Sequence, residues 1–573
     1  MDEDLERALA VSRSEQADQH DEEDRELQKA IRLSKSEHGT ASPTPFEDQL
    51  RERTAKMKRK AEEELPHSVK RSHSGWNAVN VPSYSSSGPT FLAKSTRAPS
   101  KLSIIYPNGA LRITRTPGRG NTKNCVNLTD VIHAKHLISA CIFSFYIGDN
   151  ELFTQRVQMN LVYSQLLPKQ SWLIITDPAI FVDPMVKEAC SEAGIPFKDS
   201  LSKRQLQSIT SNLRNLYSQK YGKNYHAFYA WSSALSHSKI LVLIYPGFLR
   251  IVITSCNMMN IDTMLGDNHW YIHDLPKLSS PATSEPSTFE AGLIAHLKAL
   301  STPDVFLDSI RGMYDYAAVK VHLVTSVPGV CTGVKAEAHG LLRLRRVIQD
   351  LDLKMPEKES GELRLEVCAA SVGNLSAKWL NAFNDCALGK ETIEVASEDC
   401  AVPDLKLFYP SIGDVKKAHE SSQDAASNIG CHTRPWDKAL DGIKNIFHHY
   451  DSKDTGRLFH QKLILAYNPR DTNAPPYYVY VGSANFSQSA WGALENDKKA
   501  NTPPTCNIKL VKLINFECGV VIPGSLVESL LEPGTKNWQS GIVPYVQTGK
   551  RYDLPKDRPW NDVRWVQNPQ DDY

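Results

Sequence analysis

Two stretches of the chain decide how it folds. The first is His237-Ser-Lys-Ile-Leu-Val-Leu-Ile-Tyr245 with Leu249-Arg-Ile-Val-Ile-Thr-Ser-Cys-Asn257. The second is His460-Gln-Lys-Leu-Ile-Leu-Ala-Tyr467 with Tyr477-Tyr-Val-Tyr-Val-Gly-Ser-Ala-Asn485. Each opens on His-x-Lys, runs into an apolar strand, turns, and ends a second apolar strand on asparagine. Asn257 and Asn485 stand 18 and 23 residues beyond their lysines. Alternate side chains of a strand share a face, so His237 and Lys239 point one way, as do His460 and Lys462. The repeat predicts two similar halves related by a pseudo-twofold. One site between them then collects two His, two Lys and two Asn.

Further β-rich runs lie at Ser171–Thr176, Val319–Thr325 and Glu517–Ile522. Helical patterns lie at Leu341–Ile348 and Pro435–Ile446. Strands alternating with helices predict layered α/β sheets. A length of 573 residues suits two to four domains or one large pseudo-symmetric unit. A formal net charge of +1 excludes a polybasic coat for nucleic acid, so any basic patch is local. Eleven cysteines with no C-x-x-C pair argue against a disulfide framework or zinc ribbon. No apolar run approaches the roughly 18–20 residues that span a bilayer, and the chain opens Met-Asp-Glu-Asp. These features predict a soluble intracellular protein.

The first 95 residues differ in composition. Between Met1 and Glu37 there are 12 acidic and 6 basic residues. Basic clusters follow at Lys56, Lys58, Arg59 and Lys60 and at Lys70-Arg71, then the Ser-rich run Pro82–Pro89. So little apolar surface does not offset ordering entropy, and the tail is expected to be largely disordered. Two short helical patterns repeat within it. Leu5, Ala8, Leu9 and Ser12 in the first match Leu27, Ala30, Ile31 and Ser34 in the second, each on one helix face behind acidic residues. Both segments resemble the ubiquitin-interacting motif, which implies ubiquitin or ubiquitylated proteins as partners in a helix-in-groove mode. The basic clusters are similar to a bipartite nuclear import signal, implying a nuclear location. The expected organisation is tandem motifs over 1–40, a linker over 41–95, and two folded halves over 96–318 and 319–573.

Six polar residues from two half-sites suit phosphoryl chemistry. Two lysines and two asparagine amides surround a phosphate and stabilise charge on its equatorial oxygens. One neutral imidazole attacks phosphorus, and the other gives a proton to the leaving oxygen. No cation is needed, and the chain has no H-E-x-x-H, Walker A or EF-hand pattern.

The paired motifs resemble the phospholipase D superfamily, and within it the tyrosyl-DNA phosphodiesterases, of the fungal type with tandem ubiquitin-interacting motifs. The wider superfamily has an Asp five residues after each motif Lys. Ile244 and Tyr467 occupy those places here, a departure shared by the tyrosyl-DNA enzymes. Gly482–Glu495, Ala370–Ser376, Tyr409–Ser411 and Phe516–Val520 also match. The resemblance implies two phospholipase D-like α-β-α halves with one active site between them. It implies His237 as nucleophile, His460 as general acid/base, and Lys239, Lys462, Asn257 and Asn485 as the phosphate pocket. Glu517 would orient the nucleophilic imidazole. Asn268, or else Asp267, would hold His460. Ser371, Asn374 and Lys378 would meet the DNA backbone. The implied substrate is DNA joined at its 3′ end to a stalled type IB topoisomerase peptide, with single-stranded and duplex DNA ends as partners. The implied protein is a monomer with no membrane association, cofactor or metal. Tyr225, Phe228, Tyr229 and Trp231 are candidates for base stacking. The alternatives are a phospholipase D-like nuclease or lipid phosphodiesterase, and an inactive ubiquitin-binding adaptor. The adaptor reading predicts a missing motif His or Lys, and all four are present.

Overall fold

In a computed structural model, residues 102–561 are described except 117, 121, 146–160, 166–183, 196–202, 222–224, 229–234, 260, 354, 357–359, 432, 455 and 498–506. The ubiquitin-type motifs, the basic clusters and the expected strand at 171–176 therefore lie outside the described residues.

Among the described residues, nine strands come from the first part of the chain: β1 (Ala110–Thr114), β2 (Cys125–Val126), β3 (Ser139–Phe143), β4 (Leu161–Gln165), β5 (Tyr225–Phe228), β6 (Leu235–Ser236), β7 (Ile240–Tyr245), β8 (Phe248–Thr254) and β9 (His269–Pro276). Twelve follow: β10 (His322–Ser326), β11 (Gly329–Cys331), β12 (Arg364–Ala369), β13 (Ser371–Val372), β14 (Lys406–Tyr409), β15 (Gly430–Cys431), β16 (Phe447–His449), β17 (Lys462–Tyr467), β18 (Tyr478–Gly482), β19 (Ala493–Asn496), β20 (Ile508–Leu513) and β21 (Asn515–Pro523). One sheet runs β2-β1-β9-β8-β7-β3-β4-β5, the other β10-β21-β18-β17-β12-β14-β16.

Apart from β2, the two orders correspond strand for strand. β7 takes the place of β17, β8 of β18, β3 of β12 and β9 of β21. The pairing sense matches as well: antiparallel from β1 to β3 and from β10 to β12, then parallel through β4 and β5 and through β14 and β16. This is the duplicated architecture that the paired motifs predict.

Both central hairpins are buried on both faces, which is why they read as near-continuous apolar runs. Ile240, Val242 and Ile244 join Leu463, Leu465 and Tyr467 in one core shared by the sheets. The alternate residues face outward. Leu241, Leu243 and Tyr245 pack with Leu128, Val131 and Leu137, whereas Ile464 and Ala466 pack under the helices Gly340–Asp350 and Ala377–Ala387. Each motif thus enters the molecule at the end of a strand that cannot shift by one residue without inverting two cores.

The expected helix at 435–446 is instead two short helices, Thr433–Lys438 and Asp441–Lys444. Leu440 between them takes an extended conformation (φ −66°, ψ 150°) and starts the second helix.

Candidate active site

Each motif histidine is fastened by backbone bonds to the opposite half. β6, which leads into His237, pairs in parallel with β21, and the His237 amide donates to the Phe516 carbonyl at 2.9 Å. Phe459, which precedes His460, bridges to Asp267, and the His460 amide donates to the Asp267 carbonyl at 2.9 Å.

The same crossings deliver the carboxylates. Glu517 of the second half lies 2.9 Å from His237 Nδ1. Asp262 of the first half lies 3.0 Å from His460 Nδ1. Both acids are buried. A carboxylate only accepts, so Nδ1 carries the proton on each ring and Nε2 keeps its lone pair. Glu517 also accepts bonds from Ser483 Oγ and, at 3.0 Å, from Asn515 Nδ2. Asp262 accepts from the Asn257 amide and from Asn428 Nδ2, each at 2.8 Å. Close backbone contact brings β21 so near the second motif: a Cβ on Gly482 would sit 2.4 Å from the Gly519 Cα.

The lysines repeat one arrangement. Lys239 Nζ donates to the His237 carbonyl at 2.7 Å, and Lys462 Nζ to the His460 carbonyl at 2.6 Å. Lys462 Nζ is also 3.1 Å from His460 Nε2. Asn485 Oδ1 accepts from the Ser371 amide at 3.1 Å, while Asn257 is buried beside Asp262 through its own amide.

The electrostatics join the half-sites. Burial is the largest influence on both imidazoles and pushes each down to about 4, against the opposing pull of Glu517 and Asp262. Lys462 further disfavours protonation of His237, and Lys239 that of His460, so each lysine's charge reaches the other half's ring. Burial lowers Lys239 to about 8 and pushes Lys462 well below the ordinary ammonium range. Burial alone would raise the two carboxyls. The charges of His237 and Lys239 more than offset this at Glu517, and those of His460 and Lys462 hold Asp262 down to about 2.

A stability prediction follows. The folded imidazoles sit below the ordinary value of 6.5, so the unfolded chain binds more protons between about 4 and 6.5. Their contribution is complete above pH 6.5 and is lost as pH falls toward 4. The Asp262 contribution is lost lower still, between the ordinary carboxylate range and about 2. The melting temperature should therefore drop steadily below pH 6.5; a flat profile from pH 7.5 to 4.5 would contradict the burial argument.

Asn268 does not hold His460. Its Nδ2 donates to the Asp262 and Gly266 carbonyls and its Oδ1 accepts from Ser255 Oγ at 2.8 Å, so its amide is spent bracing the turn that carries Asp262. Asp267 turns its side chain to Arg119. The residue at His460 is Asp262, in a wide helical turn over Ile261–Leu265. Nothing in the periodicity marks it. Only the requirement that both imidazoles have a carboxylate could have pointed there. Ser371 lies beside Asn485, Asn374 is exposed, and Lys378 pairs with Glu398 at 2.9 Å. Phe228 is buried against Phe143 in the core and is not available for stacking, whereas Tyr229 and Trp231 lie outside the described residues.

A duplicated α-β-α fold with one His-x-Lys…Asn motif in each half is the phospholipase D-like architecture. Within it, residues 192–563 match the family described as tyrosyl-DNA phosphodiesterase, and the chain belongs to that family. Residues 2–16 and 22–38 match the ubiquitin interaction motif. Tyrosyl-DNA phosphodiesterase 1 of Arabidopsis thaliana is 25% identical over 370 residues, 57% of this chain. The chain thereby spans 58% of that relative's length. The fold is similar to that of a yeast tyrosyl-DNA phosphodiesterase, with a TM-score of 0.52 at 15% identity, over 79% of this chain and 99% of the other. A histidine-to-asparagine variant of the yeast protein gives 0.53 at 14% identity, over 79% of this chain and 100% of the other.

Proposed function

We propose that the chain hydrolyses the 3′-phosphotyrosyl bond between DNA and a type IB topoisomerase peptide, acting on single-stranded and duplex ends. Other 3′ adducts are further substrates. The observation that carries this reading is the pair of imidazoles, each backed by a carboxylate from the opposite half. His237 Nε2 attacks phosphorus and the P–N bond forms as the bond to tyrosine oxygen breaks. His460, as imidazolium, protonates the leaving phenolate. His460 then takes a proton from water, which attacks phosphorus, breaks the P–N bond and leaves a 3′-phosphate. Both rings are biased toward the neutral form by burial and lysine charge. An arriving phosphodiester anion opposes that bias and favours the imidazolium that His460 needs. Lys239 and Lys462 stabilise the equatorial oxygens, with the amides of Asn257 and Asn485 as neutral donors. Ser371, Asn374 and Lys378 continue the site along the DNA backbone. The direct test is turnover of a 3′-phosphotyrosyl oligonucleotide in excess EDTA; inactivity there would falsify the reading.

Asp262→Asn should slow the steps that use His460 by roughly 10²- to 10⁴-fold, because an amide permits the wrong tautomer. Single-turnover and adduct-decay rates for this variant measure the effect. Wild-type rates would remove Asp262 from the mechanism.

The tail motifs are proposed to bind ubiquitin through Leu5, Ala8, Leu9 and Ser12 and through Leu27, Ala30, Ile31 and Ser34. Bulky replacements of both Ala8 and Ala30 should abolish ubiquitin pull-down, since a small residue lets the groove approach. Undiminished capture would exclude this mode. A monomer acting in the nucleus fits the basic clusters and the DNA substrate. Among the described residues no helix is long and apolar enough to cross a membrane.

A further inference from the structure

Directly behind His460 lies a buried charge cluster that the proposed chemistry does not use. Arg119 comes from the loop after β1 and is paired with Asp267; the two side chains are 6% and 0% exposed. Its guanidinium also lies 3.6 Å from Asp454 Oδ2. The loop fits closely. The Gly120 amide donates to Asp454 Oδ1 at 3.2 Å, and a Cβ on Gly118 would sit 2.7 Å from the Arg457 guanidinium.

Asp267 and Asp454 stand at the ends of two segments that cross between the halves. The Asp267 amide donates to the Leu458 carbonyl at 3.0 Å and its carbonyl receives the His460 amide. Ser422 adds a link, accepting from the Leu458 amide at 2.7 Å and donating to the Leu265 carbonyl. The first-half segment carries Asp262 and the second-half segment carries His460. Arg119 touches both segments and neither of those two residues.

We propose that Arg119 is a positioning residue for His460: it locks segment 262–268 onto segment 454–460 and so holds the Asp262 carboxylate at the imidazole. The proposal deepens the phosphodiesterase reading and rests on it for the role of His460. Without the guanidinium, Asp267 loses the cation paired with it, next in line to the His460 backbone. The charged groups facing His460 are Asp262, Lys462 and Lys239, and of these the clamp positions Asp262. Loosening of the crossing draws the Asp262 carboxylate, whose charge favours the imidazolium, away from the ring and so disfavours the imidazolium.

The experiment uses the full chain with Arg119→Gln and Arg119→Lys. The His460 ring is titrated by NMR, assigned with His460→Asn, and the lifetime of the DNA adduct on His237 is followed. Arg119→Gln should lower the proton affinity of His460 about tenfold, one pH unit. It should also lengthen the adduct lifetime more than it slows adduct formation. Arg119→Lys, which keeps the charge but not the fork, should fall between it and the parent. If Arg119→Gln does not fold, the lysine variant carries the titration. An unshifted His460 titration in the folded variant, or equal slowing of both steps, overturns the proposal. A shifted titration in the variant, with no adduct formed by the parent, would instead sink the phosphodiesterase reading and leave the clamp standing.

Discussion

His237→Ala is expected to lose single-turnover cleavage of a 3′-phosphotyrosyl oligonucleotide by roughly 10⁴-fold or more. The ring is the nucleophile in the proposed reaction, and no neighbouring group replaces it. Lys239 Nζ is committed to the His237 carbonyl, and Glu517 is held by Ser483 and Asn515. Water attacking phosphorus directly would lack the neutral Nε2 that Glu517 orients from behind. Folding should survive, because the substitution removes one polar pair with Glu517 and one edge contact with Phe145 and leaves the shared core intact. A rapid-quench time course settles the result: cleavage within tenfold of the parent would assign the attack to another group.

His460→Asn is expected to behave differently and to trap the enzyme on its substrate. A tyrosine phenol has a pKa of about 10 and leaves with modest help, so the first step slows less. The second step needs a base to take a proton from water, and the substituted amide has none. DNA should accumulate on His237 as an adduct stable to denaturing electrophoresis, with its decay slowed roughly 10²- to 10⁴-fold. The adduct should be labile to acid, as a P–N bond is. Fast turnover with no adduct would reverse the assignment of the two imidazoles. The paired titration makes the pH profile of the parent bell-shaped, with limbs that belong to the pair.

How far the residues alone led depends on the type of signal. β7, β8, β17 and β18 were legible because both faces are buried and the apolar runs are unbroken. The duplication was legible because each run carries the same polar residues at its ends. β9 and β12 carry no such unbroken signal, since His269, His273 and Asp274 interrupt the first and Glu366 the second. Those groups are buried only because tertiary partners satisfy them. Arg250 meets Asp274 at 2.6 Å, and Tyr467 donates to Glu366 at 2.7 Å from the place where the wider superfamily has its Asp. Phe228 sat in an aromatic run beside the first motif, and only packing shows that it serves the core.

By itself the chain's sequence determined the two-half α/β plan and the two His-x-Lys motifs whose charges act on each other across it, because strand periodicity and repeated motifs are local properties. The tertiary structure alone decided which carboxylate backs each imidazole. Glu517 and Asp262 reach their histidines from the opposite half, 280 and 198 residues away along the chain. A contact made by a fold crossing leaves no period in the sequence. It was for this reason that Asn268 and Asp267, close to the right place, were drawn instead into bracing the turn and pairing with Arg119.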